Sequence, residues 1–425
     1  MITPDNPETF LRSLFDRAVE VADPMRSLAA HLPTRPSGRV VVVGAGKASA
    51  RMAEAVEAAW GPCEGLVVTR YGYARPCKGI EIVEAAHPVP DMSGATATMR
   101  MLDLLETLSE DDFVLALISG GASALLVAPA EGVSLAEKQA VNAALLASGA
   151  PIGQMNVLRK HLSRVKGGQL AAAAHPAPML ALMISDVPGD DMAMIGSGPT
   201  VGDTSTVSDA RSILEHWQIP APASVMAALG RPSGVIPPND PRLSTVKNHI
   251  YAAPGQSLDA AENLAREAGI TVERLGNDLE GEARDIAEMQ AHRALHIKSK
   301  LKKGDAPVLL LSGGELTVTR RGEGIGGPNA EFCLALTLAL QGAEGIYALS
   351  CDTDGVDGAA EVAGAVIGPR TLAQARKQGI DPLASLNRND AHHFFEQIGA
   401  QVITGPTLTN VNDFRAILIL AEAAA

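Results

Sequence analysis

The expected fold class is α/β in two domains, and three observations predict it. Short runs of branched apolar residues have the composition of strands buried on both faces of a sheet, and helical periodicity separates them. The length of 425 residues exceeds one ordinary core. Aromatic residues make up only 3% of the chain, which suits helices packed closely on sheets rather than a β-sandwich. Residues 1–240 are expected to form a Rossmann-like three-layer α/β/α sandwich with a mostly parallel sheet, and residues 241–425 a second α/β domain.

The elements follow in order. Asp5, Glu8 and Asp16 around Phe10, Leu11 and Leu14 read as an acidic amphipathic helix rather than a secretory signal. Strands are expected near 39–43, 65–69, 80–85, 112–118 and 179–185, with helices near 46–60, 93–109, 134–148 and 151–165. Pro220, Pro222, Pro232, Pro237, Pro238 and Pro241 then crowd a stretch of weak periodicity, which sets the expected boundary. Beyond it, strands are expected near 246–252, 270–275, 307–311, 345–350 and 414–420, and helices near 256–268, 281–301, 329–341 and 371–378. Ser119-Gly120-Gly121 and Pro129 interrupt the uncharged run Phe113 to Ala130, which excludes a membrane span there.

The formal net charge of −13 argues against general affinity for nucleic acid or anionic lipid. An anionic substrate must be drawn by a local cluster of cations and backbone N–H groups. Cys63, Cys77, Cys333 and Cys351 form no CxxC pair and read as reduced thiols, so the expected setting is cytoplasmic. A homodimer is compatible with this composition, which does not decide the assembly.

The segments that carry chemistry stand at strand ends, where open α/β sheets bind ligands. Val40 to Val43 lead into Gly44-Ala45-Gly46-Lys47. There glycine admits close approach of an anion, a helix N-terminus offers N–H groups, and Lys47 adds a full charge. A turn whose glycines serve only packing is the ordinary alternative. Ser119-Gly120-Gly121-Ala122-Ser123 repeats the arrangement after a second strand, with the same alternative. Arg159, Ser163 and Lys166 have the spacing of one helical face and could hold a carboxylate or phosphate; a solvated basic helix end capped by Gly167 is the bland reading.

Asp186 ends an apolar strand, where a partly hydrated carboxylate could accept a proton or orient a hydroxyl. Gly196-Ser197-Gly198-Pro199-Thr200 reads as a further loop with exposed N–H groups. In the second half, Ser312-Gly313-Gly314-Glu315 ends another strand with a carboxylate. The segment Ser350 to Gly358 gathers Asp352, Asp354 and Asp357 without the spacing of an EF-hand loop. Magnesium held together with nucleotide phosphates fits this set, and an Asp-rich turn without metal is the alternative. Thr404 to Asp413, including Asn410, offers amides and hydroxyls before the last strand.

In order, GAGKAS, AAHPVPD, SGGASAL, LRKHLSRVKGG, SDVPGDD, GSGPT, LLSGGE, GGPNAEF, DTDGVDG and TGPTLTNVND resemble the motifs of the glycerate 2-kinase family, two-domain kinases whose C-terminal part is called MOFRL. The resemblance covers nearly the whole chain. It implies transfer of the γ-phosphoryl of ATP to the 2-hydroxyl of D-glycerate with Mg²⁺, in a cleft between the domains. Lys47, Asp186, Glu315, Asp354 and Asn410 are the residues it carries over.

On that reading Lys47 contacts the transferring phosphoryl group and Asp186 orients or deprotonates the attacking hydroxyl. Glu315, Asp354 and Asp357 position Mg²⁺ or its waters, and Asn410 holds substrate or phosphate. Gly44, Gly46, Ser119, Gly120, Gly121, Ser123 and Arg159 complete the substrate and phosphate contacts. The family commonly has an arginine in a GGRN motif where this chain has Pro328, so Arg320, Arg321 or Arg159 becomes a candidate to supply that charge.

Two other readings remain at this level. A hydroxypyruvate reductase would use Gly44 and Gly46 as a dinucleotide turn and His161 as proton donor, although the strand after the turn ends in Arg70 rather than the acidic residue that binds NAD ribose. A non-catalytic sugar-acid or nucleotide sensor is the third.

Overall fold

The computed structural model describes residues 6–422, and Asp5 lies outside them. The chain divides into two compact units. Pro24–Tyr251 forms one, and residues 6–23 join residues 252–422 to form the other.

In the unit Pro24–Tyr251, the strands are β1 (Val40–Ala45), β2 (Glu64–Arg70), β3 (Ile80–Ala85), β4 (Phe113–Ile118), β5 (Met179–Ile184) and β6 (Val246–Ala252). Their order is β3-β2-β1-β4-β5-β6, and the pairs β1/β2, β1/β4, β2/β3 and β4/β5 are parallel. All six residues of β1 are buried, so its branched run fills a sheet covered on both faces. Val41, Val43 and Ala45 share a core with Ala97 and Met101 of the helix Met92–Leu105 and Leu170 of the helix Gln169–Ala174. The alternate residues Val40 and Val42 are equally buried on the opposite face. The chain winds outward from β1 through β2 to β3, then returns to β4 on the other side. The point of reversal lies between β1 and β4, where a doubly wound sheet opens a crevice at its carboxyl edge.

The other unit contains β7 (Thr271–Gly276), β8 (Gly281–Glu282), β9 (Val308–Ser312), β10 (Leu316–Thr317), β11 (Ile346–Asp352), β12 (Gly364–Ile367), β13 (Gln401–Val402) and β14 (Asp413–Ile419). β8 and β10 form a small ribbon, while the main sheet runs β13-β12-β11-β14-β9-β7. It is mixed: β14 pairs antiparallel with both β11 and β9, and only β7 and β9 are parallel. The carboxyl ends of β7, β9 and β11 therefore share an edge with the amino end of β14.

One face of this sheet, with Leu310, Ala348 and Ile417, packs on the helices Ala283–Lys300 and Pro328–Leu340. The other, with Leu309, Leu311, Leu349 and Leu418, packs on the helix Pro254–Glu267 and on Phe10, Leu11, Leu14 and Phe15 of the helix Pro7–Ala22.

This organisation corrects the expected division in two places. The strand Val246–Ala252 is the edge of the first sheet rather than the first strand of the second, which moves the boundary from 240 to Tyr251. The N-terminal helix belongs with the C-terminal sheet, because that sheet has a second apolar face to cover and the helix supplies four large side chains at 0% exposure.

Candidate active site

At the carboxyl edge of the first sheet the two glycine turns are stitched to each other. Lys47 N donates to Gly120 O at 2.8 Å, Ala48 N to Ser119 Oγ at 3.0 Å, and Gly46 N to Val68 O at 3.1 Å. Ser49 Oγ lies 3.0 Å from Leu117 O and 3.1 Å from Ser119 Oγ, and Thr69 Oγ1 donates to Gly46 O at 3.1 Å.

A side chain at Gly44 would collide with Leu117 O, and one at Gly46 with the Ser119 hydroxyl. These two glycines, Ser119 and Gly120 therefore serve the close approach of β1 to β4. The expected anion cradle of backbone N–H groups at Gly44 to Ala48 does not form, because those of Gly46, Lys47 and Ala48 are spent on protein acceptors. The Lys47 side chain is what the turn presents.

Gly121 has a left-handed φ of 79° that favours glycine. A methyl group placed there would lie 3.0 Å from the His87 ring and 3.3 Å from the Lys47 side chain. Gly121 and His87 line a cavity of about 570 Å³ together with Ser123, Lys138, Arg159 and Lys166. Its remaining wall is largely apolar, and no carboxylate lines it. Lys166, 1% exposed, gives its Nζ protons to the carbonyls of Ser123, Leu126 and Gly196 at 2.8, 3.2 and 3.4 Å, which ties the second glycine turn to the loop after β5. Lys138, 2% exposed, donates to Leu162 O at 2.7 Å. Arg159 Nη1 donates to Asn156 Oδ1 at 3.3 Å, and Asn156 Oδ1 also accepts from Ser197 Oγ, which lies 2.8 Å from Ser123 Oγ.

Burial, reinforced by the Arg159 charge, pushes Lys138 down to about 7. Burial and the charges of Lys138 and Arg159 hold Lys166 well below its ordinary value, and burial alone lowers Arg159. Three basic side chains thus line one cavity, and burial disfavours the charged form of each.

Asp186 follows β5 at the same edge. β1 pairs Ala45 with Ile118 of β4, and β4 pairs Ile118 with Met183. Lys47 and Asp186 thus lie just past the ends of strands two places apart, roughly 10 Å by strand spacing. Both are partly buried.

Other expectations in this unit need correction. The helix Ile152–His161 ends before Ser163, so Arg159, Ser163 and Lys166 do not share one helical face. Ser163 Oγ accepts from Val165 N and Lys166 N, a turn that nonetheless swings Lys166 into the same cavity as Arg159. His161 is held between Ser233 and Ser205 at 2.8 and 3.1 Å. The loop Gly196 to Thr200 is buried from Ser197 onward, so it offers no exposed N–H cradle.

In the other unit, Glu315 follows β9, Asp352 and Asp354 stand at and just past the end of β11, and Asn410 precedes β14. Glu315 is exposed, whereas Asp354 is fully buried with Oδ1 accepting from Val356 N at 2.8 Å. Asp354 N donates to Asp352 Oδ1 at 2.9 Å, and Asn412 N to Asn410 Oδ1 at 3.3 Å. Among the described residues, no group of three or more His, Cys, Asp and Glu side chains is arranged to hold a metal ion.

Asp357 departs from the expected metal set. Fully buried, it accepts from Asn329 N at 3.0 Å and Ala330 N at 2.8 Å, closing the amino end of the helix Pro328–Leu340. Asn329 Nδ2 also donates to Asp413 Oδ1 at 2.7 Å, and Arg415 Nη1 to Asp413 Oδ2 at 3.0 Å. Pro328 occupies the first position of that helix, which suits its fixed φ and missing N–H. Arg320, exposed, donates to Gly322 O at 3.2 Å. Of the three arginines considered as sources of the missing charge, Arg159 lines the cavity of about 570 Å³.

Residues 10–230 match the family described as "Domain of unknown function (DUF4147)", and residues 308–413 match the MOFRL family. The D-glycerate 2-kinase of Thermotoga maritima is 39% identical across 99% of this chain and 100% of its own. The chain belongs to the glycerate 2-kinase family. The crystal structure of glycerate kinase from Thermotoga maritima superimposes with a TM-score of 0.88 over 98% of this chain and all of that one. A protein of Agrobacterium vitis that carries the provisional name hydroxypyruvate reductase is 50% identical over 96% of this chain and 94% of its own. No helix among the described residues is long and apolar enough to cross a membrane.

Proposed function

We propose that the protein is a glycerate 2-kinase, transferring the γ-phosphoryl of ATP to the 2-hydroxyl of D-glycerate to give 2-phosphoglycerate. The observation that carries this reading is the cavity lined by the basic side chains Lys138, Arg159 and Lys166, with Lys47 beside its Gly121, in a chain related to a D-glycerate 2-kinase along its whole length. Phosphoryl transfer needs positioning and charge neutralisation more than covalent participation by the protein. Lys47 is assigned to the transferring phosphoryl group, where its charge is most useful in the transition state. Asp186 orients the 2-hydroxyl and accepts its proton.

For Mg²⁺, the carboxylates of Glu315 and Asp354 are hard oxygen donors, and an ion that keeps waters and phosphate oxygens needs only one or two of them. When bound, the ion neutralises phosphate charge. Asn410 is assigned to substrate or phosphate. Four free cysteines, two of them fully buried, fit a reducing cytoplasmic setting.

A dinucleotide reductase would place pyrophosphate on the N–H groups of the first glycine turn, but those of Gly46, Lys47 and Ala48 already have protein acceptors. The deciding experiment incubates the protein with D-glycerate and ATP, following ADP release and identifying the phosphorylated carbon by ³¹P NMR. In parallel, hydroxypyruvate is offered with NADH or NADPH. ADP release with the 2-phosphate supports the kinase; cofactor oxidation without ADP release overturns it.

A further inference from the structure

The cavity in the unit Pro24–Tyr251 is far larger than a three-carbon acid needs. Its volume of about 570 Å³ falls within the roughly 300–1,000 Å³ of sites that enclose drug-sized ligands. Its chemistry is also divided. Its buried part carries Lys138 and Lys166, 2% and 1% exposed, together with Arg159, and Lys166 is fastened to three backbone carbonyls. Its exposed part is apolar: Ala143 and Leu146 of the helix Leu135–Ser148 line it, and Leu146 stands 63% exposed. Val89, 60% exposed, joins this apolar wall.

Two amides stand among these apolar groups. Gln139 Nε2 is tied to Pro90 O at 2.6 Å, which directs its carbonyl oxygen to accept a hydrogen bond, and Asn142 can donate and accept. A ligand that satisfies both parts has several negative charges at one extremity and a flat, weakly polar body with an amino edge at the other. We propose that this cavity is the binding site of the nucleotide, with the purine on the wall formed by Val89, Ala143 and Leu146 and the inner phosphates on Lys138 and Arg159. The outermost phosphate then comes to Gly121, beside Lys47. The hydroxy acid binds outside the cavity, toward Asp186. This inference rests on the kinase reading for the choice of a nucleotide, although its test does not require turnover.

The test uses two variants of the full chain. Ala143→Trp fills the opening from an exposed helical position and is expected to keep the wild-type melting temperature. Lys138→Met removes a charge from the buried part. Calorimetric titration with ADP is expected to show affinity lowered at least tenfold in both variants, while the KM for D-glycerate in Ala143→Trp stays within twofold of wild type. A raised glycerate KM with unchanged ADP affinity would give the cavity to the acid and overturn the proposal. So would equal losses for both ligands, or no loss for either. Wild-type protein that binds ADP at the cavity yet phosphorylates no hydroxy acid would overturn the kinase reading and leave the nucleotide site standing.

Discussion

Lys47 and Lys138 show how the same side chain acquires different surroundings within one unit. Lys47 is partly exposed beside Gly121, suited to a charge that develops during reaction. Lys47→Ala is expected to lower kcat about a hundredfold or more with a much smaller change in KM, as steady-state kinetics would show. Asp186→Asn should behave similarly; near-normal turnover in both variants would refute their roles.

Lys138 is enclosed, and its fall from an ordinary value of 10.5 to about 7 makes it a stability term as well. Between pH 7 and about 10.5 the unfolded chain holds a proton at this position that the folded chain has released, so its contribution to stability improves as pH rises. Below pH 7 both states are protonated and the buried charge exerts its full penalty. Wild type is therefore expected to gain stability relative to Lys138→Met from pH 7 to pH 10, measured by urea unfolding. Lys47, Asp186, Gly121, Ser123 and Arg159 were legible as site candidates from their positions at strand ends or in a basic segment. Lys138 was missed because a lysine in a long helix reads as solvated. The signal was present: Lys138 shares a buried helical face with Val141 and Leu145.

At the scale of elements, the carboxylate of Asp357, expected among the metal residues, has a structural role that its motif does not display. Its two oxygens satisfy the backbone N–H groups of Asn329 and Ala330, donors that any helix leaves unpaired at its start. Asp357→Ala is expected to destabilise the protein by about 1–3 kcal/mol through the lost cap and exposed donors, read as a lower Tm. A larger loss of activity than of stability would instead restore it to the metal set.

Ten of the fourteen strands among the described residues, and the principal helices, were legible within a few residues because branched runs and 3.6-residue periodicity are local signals, whereas the short strands β8, β10, β12 and β13 carry no such run. Less was visible where local signals end. Arg159 and Lys166 meet across a turn that Ser163 builds, rather than along one helix. Gly44 and Gly46 look like a phosphate cradle in one dimension and prove to be the contact between β1 and β4.

For the molecule as a whole, the N-terminal helix is the decisive case. It leaves the chain at Asp23 and contributes Phe10, Leu11, Leu14 and Phe15 to a core otherwise built from residues beyond 252. Burial of four large apolar side chains stabilises by roughly 1.5–3 kcal/mol each, a sum comparable to the whole stability of a domain. A fragment 252–425 is therefore expected to aggregate or remain unfolded, and one in which residues 1–23 are fused ahead of it should fold; circular dichroism and size-exclusion chromatography distinguish the two. Equal folding of both would refute the packing argument.

The sequence by itself determined the α/β class, the positions of the long strands and principal helices, and the family, because each depends on local composition or on motifs that keep their order. Only the tertiary structure decided that β6 closes the first sheet, that the first helix completes the second, and that Lys138 joins Arg159 and Lys166. Those outcomes depend on which apolar faces lack a partner and which charges are brought together out of water, and both are fixed by contacts between residues far apart in the chain.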